Sequence, residues 1–197
     1  RREAGLVRQW DVVGPLLLLS VPELALVLHT TTTLTGFVLH ELGKEKQWLG
    51  SLGSLQAVLQ SLCSAFMLPA LSGWGDSRVL QLGYGLFALA SLIIYYTASA
   101  EGAIISVVPA SVAISIMRST PASYMSKRVG GDQQGEVLGL LDAFYSLCRV
   151  IGPLSIGIIM DRYGVASGFL VQAGLYTVGL LSVRLLQPPG GRKDKRE

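Results

Sequence analysis

An aspartate and an arginine interrupt the most informative apolar stretch of the chain, residues 134–164, QGEVLGLLDAFYSLCRVIGPLSIGIIMDRYG. About 25 residues in helical form are enough to cross a hydrocarbon core of ~30 Å. Asp142 and Arg149 are seven residues apart and therefore share one helical face. Ionisable groups at membrane depth are costly and usually face a partner helix or a water-filled cavity. We therefore predict that this helix lines a transport path.

The composition is typical of a membrane protein. Half of the residues are hydrophobic (50%) and 15% are charged, whereas a soluble domain carries roughly 25% charged residues. The mean hydropathy is +0.50, and long apolar runs alternate with short polar joints. The basic residues lie at the ends and joints and not among aromatic residues, which argues against a nucleic-acid partner. The sequence indicates an all-α protein in a lipid bilayer, and it predicts no metal site and no cofactor.

The predicted organisation is a six-helix transmembrane bundle, residues 21–187, between a cytoplasmic lead-in, 1–20, and a basic cytoplasmic tail, 188–197. Pro22 is expected in the first turn of the first spanning helix, where a proline costs no hydrogen bond. The predicted segments are 22–40, 47–71, 79–99, 102–125, 134–164 and 165–187. Segment 79–99 has no charged residue, so we expect it to be the most lipid-exposed helix. Because the chain begins with arginine, it is interpreted as a fragment of a longer protein.

The distribution of Lys and Arg predicts the orientation. Six crossings bring the chain back to the side on which it starts. That side collects ten basic residues, namely Arg1, Arg2, Arg8, Arg78, Lys127, Arg128, Arg192, Lys193, Lys195 and Arg196. The opposite side collects three, Lys44, Lys46 and Arg162. The positive-inside rule therefore places both termini in the cytosol.

Two joints of the chain are similar to each other. Asp76 lies in GWGDSRVLQLGYG and Asp161 in GIIMDRYGVASGF, 85 positions apart. Each joint follows the second helix of a three-helix unit, and two units of three helices insert with opposite orientations. Inverted repeats of this kind are a common plan of secondary transporters.

These residues carry a family resemblance. Gly157, Asp161, Arg162 and Gly164 are similar to the G-x-x-x-D-[RK]-x-G motif of the major facilitator superfamily, and the joint with Gly73, Asp76 and Arg78 resembles a shortened copy. The chain resembles the C-terminal six-helix half of such a transporter, in the tetracycline-resistance-like drug:proton antiporter group. The resemblance implies half of a twelve-helix fold, a gating role for these seven residues and an N-terminal six-helix half as partner.

The intramembrane charges are the main candidates for a substrate path. Arg118 lies ~9 Å and Asp142 ~12 Å from the cytosolic ends of their helices, so the two side chains are at a similar depth. They form either a structural ion pair or part of the path. Arg149 is ~22 Å deep. It either extends to the outer face, reaches Glu41 or Glu101, attracts an anionic substrate or pairs with the missing half.

Three polar residues complete the candidate set. His29 near mid-membrane is either a carrier of coupling protons or a hydrogen-bonded packing residue. Gln56 and Gln60 form a polar stripe that either lines the cavity or bonds to a neighbouring helix. Glu23 is expected to be solvated near the cytosolic mouth.

We predict a secondary active transporter that moves a small organic solute by alternating access, coupled to protons through a carboxylate such as Asp142. The alternative is a non-transporting membrane scaffold or receptor built on a transporter half. An intramembrane enzyme is disfavoured because a nucleophile, a base and an orienting group have to converge. Cys148 lies beside Arg149, and both histidines are in another segment.

Overall fold

The computed structural model describes residues 2–127, 129 and 133–185, and the side chains of 2–12, 30–32 and 185 lie outside this description. Helix α1 (Arg2–Val27) continues through wider π-helical turns, Leu28–Thr33 and Phe37–Glu41, which flank a short α-helical turn at Leu34–Gly36. Helix α2 (Lys46–Leu62) continues through Cys63–Met67 and Leu68–Leu71 to a final turn at Ser72–Trp74. The remaining helices are α3 (Asp76–Thr97), α4 (Ala100–Ser126), α5 (Gln134–Tyr163) and α6 (Ala166–Leu185).

Five of the helices in the described part are long and apolar enough to cross a membrane: α2 with its continuation to Trp74, and α3 to α6. They correspond to five of the six predicted segments. In the first segment the apolar helical stretch is shorter, Val13–Val27. The observed architecture is thus an all-α fold of several membrane-spanning helices.

The first helix begins earlier than the sequence suggested. Pro15 and Pro22 both lie inside α1, so the prediction that Pro22 occupies a first helical turn is wrong. Leu16 and Leu19 are buried within the bundle. Neighbouring helices make a proline tolerable inside a spanning helix, and Gly179 of α6 provides the space, since a Cβ there would lie 2.5 Å from Cγ of Pro22. The cytosolic location of residues 1–20 stays a prediction.

Glycine sets the backbone at both of the similar joints. Gly75, with φ 78°, precedes α3, and Gly164, with φ 83°, follows α5. Residues with a Cβ rarely adopt these positive φ angles, whereas glycine does so without strain. Each joint can therefore reverse the chain within a few residues.

The helices pack in a defined order. Helix α3 lies against α4 and α6, α1 lies against α5 and α6, and α2 packs on α4. Helix α3 buries eight residues, among them Tyr84 and Phe87, whereas α2 buries only Leu52. The prediction that 79–99 is the most exposed helix is therefore wrong. Lipid tails and protein interiors are both apolar, so the lack of charge in a helix does not tell which of them surrounds it.

The close contact between α3 and α4 leads to a testable prediction. A Cβ at Gly83 would lie 2.8 Å from Cγ2 and 3.2 Å from Cβ of Ile116, whereas a Cβ at Gly85 would meet nothing within 4 Å. Gly83→Ala should destabilise the protein by about 1–3 kcal/mol, the usual cost of overpacking. Thermal unfolding in detergent would measure this, with Gly85→Ala as the control on the same helix. Equal unfolding temperatures for the two variants would contradict the packing described.

Candidate substrate cavity

A cavity of about 610 Å³ lies between α1, α4 and α5. Pockets for small organic ligands commonly measure ~300–1,000 Å³, so this cavity has the size of a ligand site. Two acidic and two basic residues line it: Glu23, Asp142, Arg118 and Arg149. The charges of its lining therefore balance. Three of these four residues are the intramembrane charges that the sequence singled out, and the structure brings them together.

Helical spacing explains how the charges converge. Asp142, Tyr145 and Arg149 follow one another at intervals of three and four residues and share the inner face of α5. Arg118 and Pro121 show the same spacing on α4. The remaining lining is mostly apolar, namely Leu26, Val27, Met117, Ala122, Leu138 and Leu141. Fixed charges on an apolar wall are typical of a site that orients a polar organic molecule.

Glu23 is the cavity residue that sequence reasoning placed wrongly. We expected it to be solvated, but it is only 7% exposed, while Arg118, Asp142 and Arg149 are exposed. The reason is the start of α1: Glu23 lies ten residues after Val13, ~15 Å along the apolar helix, and not in a first turn. Arg149, followed by Arg118, acts electrostatically on its carboxylate. Glu23 is thus an acidic group within electrostatic range of Arg149.

As far as the structure describes the chain, the charged residues of the cavity form no ion pairs with one another. Within the described residues, Arg118 and Asp142 form no ion pair within 4.0 Å, and neither does Glu23 with either arginine. An ion pair does form elsewhere, between Lys127 and Asp76. Asp142 lies within electrostatic range of Tyr145, which is also in range of Glu23. The guanidinium groups and the Asp142 carboxylate are therefore available to a ligand.

The predicted gating joints differ from each other. Nζ of Lys127, at the end of α4, donates to both carboxylate oxygens of Asp76, at 2.9 and 2.8 Å. Oγ of Ser123 lies 3.4 Å from the same carboxylate. Asp76 thus connects α3 to α4. At this joint Gly73 and Arg78 are exposed, and at the other joint so are Gly157, Asp161, Arg162 and Gly164.

Comparison with protein families decides the class of this fold. The model of the Major Facilitator Superfamily matches residues 24–197, which is most of the chain. The chain belongs to the Major Facilitator Superfamily. It is therefore an integral, multi-pass membrane protein of a transporter family, as the joints around Asp76 and Asp161 indicated.

Curated relatives give more detail. The chain is 28% identical over 196 residues to the methyl viologen resistance protein SmvA of Salmonella typhimurium, in strains 14028s and LT2. This match covers 95% of the chain and 38% of the relative. It is 23% identical over 116 residues to the riboflavin transporter RibZ of Clostridioides difficile, covering 58% of the chain and 25% of that relative. The chain thus spans less than two fifths of the length of these relatives.

His29 lies outside the cavity lining, in a buried polar cluster with Gln172 and Thr33. It is 2% exposed, and its Nδ1 lies 3.1 Å from Oε1 of Gln172. Nε2 of Gln172 donates to Oγ1 of Thr33 at 2.6 Å. The His29 ring also makes edge contacts with Phe87 and Phe169. This geometry matches the hydrogen-bonded packing alternative, while a role in proton coupling stays an untested prediction.

The cluster predicts a loss of stability on substitution. Gln172→Leu would leave two buried partners, His29 and Thr33, without the bonds described above, and an unsatisfied buried polar group costs about 1–3 kcal/mol. We expect a clearly lower unfolding temperature in detergent. Gln47→Leu, at an exposed position, is the control for the change of side chain. An unchanged unfolding temperature for Gln172→Leu would contradict a structural role of the cluster.

Gln56 and Gln60 lie at the contact of α2 with α4 and not among the cavity-lining residues. Their backbone carbonyls lie 3.4 Å from Oγ of Ser111 and 3.1 Å from Oγ of Ser115, respectively. Each serine hydroxyl also lies within 2.9 Å of a carbonyl of its own helix. Each serine hydroxyl thus lies within reach of main-chain carbonyls of both helices. These contacts do not involve the Gln56 and Gln60 side chains, for which both alternatives stay predictions.

Proposed function

We propose that the chain is part of a secondary active transporter that moves a small organic solute across a membrane by alternating access, coupled to protons. The observation that supports this most is the cavity between α1, α4 and α5, which is lined by four charged residues. Charged groups at membrane depth commonly mark substrate or proton pathways. One relative is named a methyl viologen resistance protein and another a riboflavin transporter. Both names refer to small organic molecules.

The proposal includes two inverted three-helix repeats. The order of packing supports them. In such a repeat α1 corresponds to α4, α2 to α5 and α3 to α6. The contact of α1 with α5 then corresponds to the contact of α4 with α2, and both contacts exist. The same correspondence turns the contact of α1 with α6 into that of α4 with α3, and it leaves the contact of α3 with α6 unchanged. Seven residues at the two joints are proposed to gate the movement: Gly73, Asp76, Arg78, Gly157, Asp161, Arg162 and Gly164.

The proposed orientation has both termini in the cytosol. The Lys127–Asp76 ion pair supports one part of this assignment, because it holds two joints assigned to the same side next to each other. That this side is the cytosolic one rests on the count of Lys and Arg. On the opposite side, a Cβ at Gly36 would lie 2.9 Å from Cε of Met160. The end of the first segment therefore lies beside the end of α5, as the assignment of Lys44, Lys46 and Arg162 to one side requires.

We further propose that an N-terminal six-helix half completes the transport path. The length of the relatives supports this, since the chain covers 38% of the first of them. Helices α2 and α5 also leave most of their spanning segments unburied. A second bundle packed on these helices would enclose the cavity between two halves.

The main alternative is a membrane scaffold or receptor without transport. An enzyme is less well supported: in the part of the chain that the structure covers, the thiol of Cys148 contacts the carbonyl of Ser20 at 3.5 Å, and His29 is paired with Gln172. Cys148 and His29 thus contact other groups and form no thiol–imidazole pair with each other.

Uptake into proteoliposomes tests the proposal. The complete natural polypeptide would be reconstituted, and uptake of radiolabelled methyl viologen and of riboflavin would be measured with and without a pH gradient. We expect at least one probe to accumulate several-fold more when the gradient is applied. Saturable binding of a probe without flux would support the receptor alternative and contradict transport.

A further inference from the structure

The structure draws attention to Glu23, a carboxylate that no sequence motif marks. It is 7% exposed and forms part of the cavity wall. Within the described residues its carboxylate accepts no hydrogen bond. Buried charged groups are usually paired at contact distance or hydrogen-bonded. Glu23 has no such partner in the part of the chain that the structure describes, and its side chain borders the cavity.

The groups around Glu23 come from all the helices packed about it. The cations are Arg149 of α5 and Arg118 of α4, with Arg149 acting more strongly. The hydroxyls in electrostatic range belong to Tyr145 of α5, Tyr84 of α3 and Tyr176 of α6. The thiol of Cys148 is in range as well. Tyr124 of α4 is in electrostatic range of Tyr84, and Asp142 is in range of Tyr145.

The charge of Glu23 therefore depends on groups that belong to other helices. Arg118 and Arg149 are exposed to the cavity, and a cargo molecule or a shift of α4 or α5 can draw either guanidinium away from Glu23. A carboxylate that loses a nearby positive charge in a poorly solvated place binds a proton more readily. Movement of the arginines and protonation of Glu23 are linked in this way.

We propose that Glu23, rather than Asp142, is the carboxylate that binds and releases the coupling proton, that Arg149 is its counter-charge, and that Asp142 contacts the cargo. The proton comes from water on one side of the membrane, converts the carboxylate to the neutral acid and leaves to water on the other side. No bond other than O–H is formed or broken. This inference rests on the proposed transport function.

The decisive experiment measures two quantities separately: accumulation of a substrate driven by a pH gradient, and exchange of the substrate across the membrane without a gradient. The complete polypeptide would be assayed in proteoliposomes for accumulation of methyl viologen or riboflavin driven by a pH gradient, and for counterflow of the same probe without a gradient. Glu23→Gln should reduce gradient-driven accumulation at least tenfold while keeping counterflow. Asp142→Asn should reduce both. Glu45→Gln, in the exposed joint before α2, should change neither.

The outcomes distinguish this inference from the transport proposal. Gradient-driven accumulation in Glu23→Gln at the level of the unsubstituted protein would overturn the role of Glu23 and leave transport standing. The same holds if Asp142→Asn alone loses the driving force and keeps counterflow. If the unsubstituted protein moves neither probe, the transport proposal and the role of Glu23 fail together. Glu23→Asp, which retains a carboxylate, should recover part of the accumulation.

A second measurement applies even if Glu23→Gln does not fold. Arg149→Gln removes the stronger counter-charge, so the pH profile of transport should move to higher pH, because the proton then leaves Glu23 less readily. Arg149→Lys keeps the positive charge and should leave the midpoint of the profile near its original value. A purely structural role for Arg149 would lower the amount of folded protein without moving the midpoint. An unmoved midpoint in Arg149→Gln would overturn the proposal.

Discussion

A cysteine at position 142 is expected to react with a membrane-impermeant maleimide from one aqueous side and to be protected when a transported molecule is added. The native thiols Cys63 and Cys148 are both free, so they are first replaced by alanine. Asp142 lines the cavity and is exposed to it, and water in that cavity allows formation of the reactive thiolate. The measurement is the labelling rate in intact cells and in inverted vesicles. We expect a rate at least tenfold above that of a control position outside the cavity.

Leu147 provides the matched control for that labelling. It lies on the same helix as position 142, is 53% exposed and is not part of the cavity lining. A cysteine at 147 should therefore lie outside the cavity water and react slowly. The cysteines at 142 and 149 could also prove as unreactive as the one at 147, from both sides and with or without substrate. That result would show that water does not reach the cavity. The proposal of a transport path would then be untenable.

The second large effect is expected from Asp142→Asn, which should reduce pH-driven transport about 10- to 100-fold. This corresponds to the ~1.5–3 kcal/mol that a hydrogen bond to a charged group contributes, on the proposal that the exposed carboxylate binds the cargo. Membrane insertion should be unchanged, because a neutral side chain is less costly in the bilayer than a charged one. Uptake per amount of inserted protein is the quantity to compare.

The control for Asp142→Asn is Glu136→Gln. Glu136 is an exposed carboxylate in the first turn of the same helix and lies outside the cavity lining. The Glu136→Gln variant should keep transport within about twofold of the unsubstituted protein, since surface substitutions rarely change the free energy of unfolding by more than about 0.5 kcal/mol. Full transport activity in Asp142→Asn, or an equal loss in both variants, would refute a specific role of Asp142.

Depth and helical face were enough to predict much of the cavity. Arg118, Asp142 and Arg149 were singled out because charge in an apolar run is rare and because the rise per residue gives its depth. The structure shows that the same three side chains line one cavity. What remained hidden was the burial of Glu23, because the proline at the preceding position was interpreted as the start of a helix. In membranes, neighbouring helices can support prolines inside a helix, so Pro22 is a poor boundary signal.

Long-range partners were the other part that the sequence did not reveal. His29 bonds to Gln172, 143 positions away, and Asp76 binds Lys127 at a distance of 51 positions. Composition and periodicity describe the face of one helix, and they do not tell which face of another helix lies opposite. The burial of α3 was missed for the same reason. An uncharged helix is equally suited to lipid and to the centre of a bundle.

The contact between α2 and α4 has a consequence for how this protein can change. Ser111 and Ser115 reach main-chain oxygens of α2, and every amino acid supplies such an oxygen. Substitutions at Gln56 or Gln60 can therefore alter what α2 presents to its surroundings without removing this attachment. The α2 surface is free to diverge in evolution, or to be redesigned, while its anchoring on α4 persists.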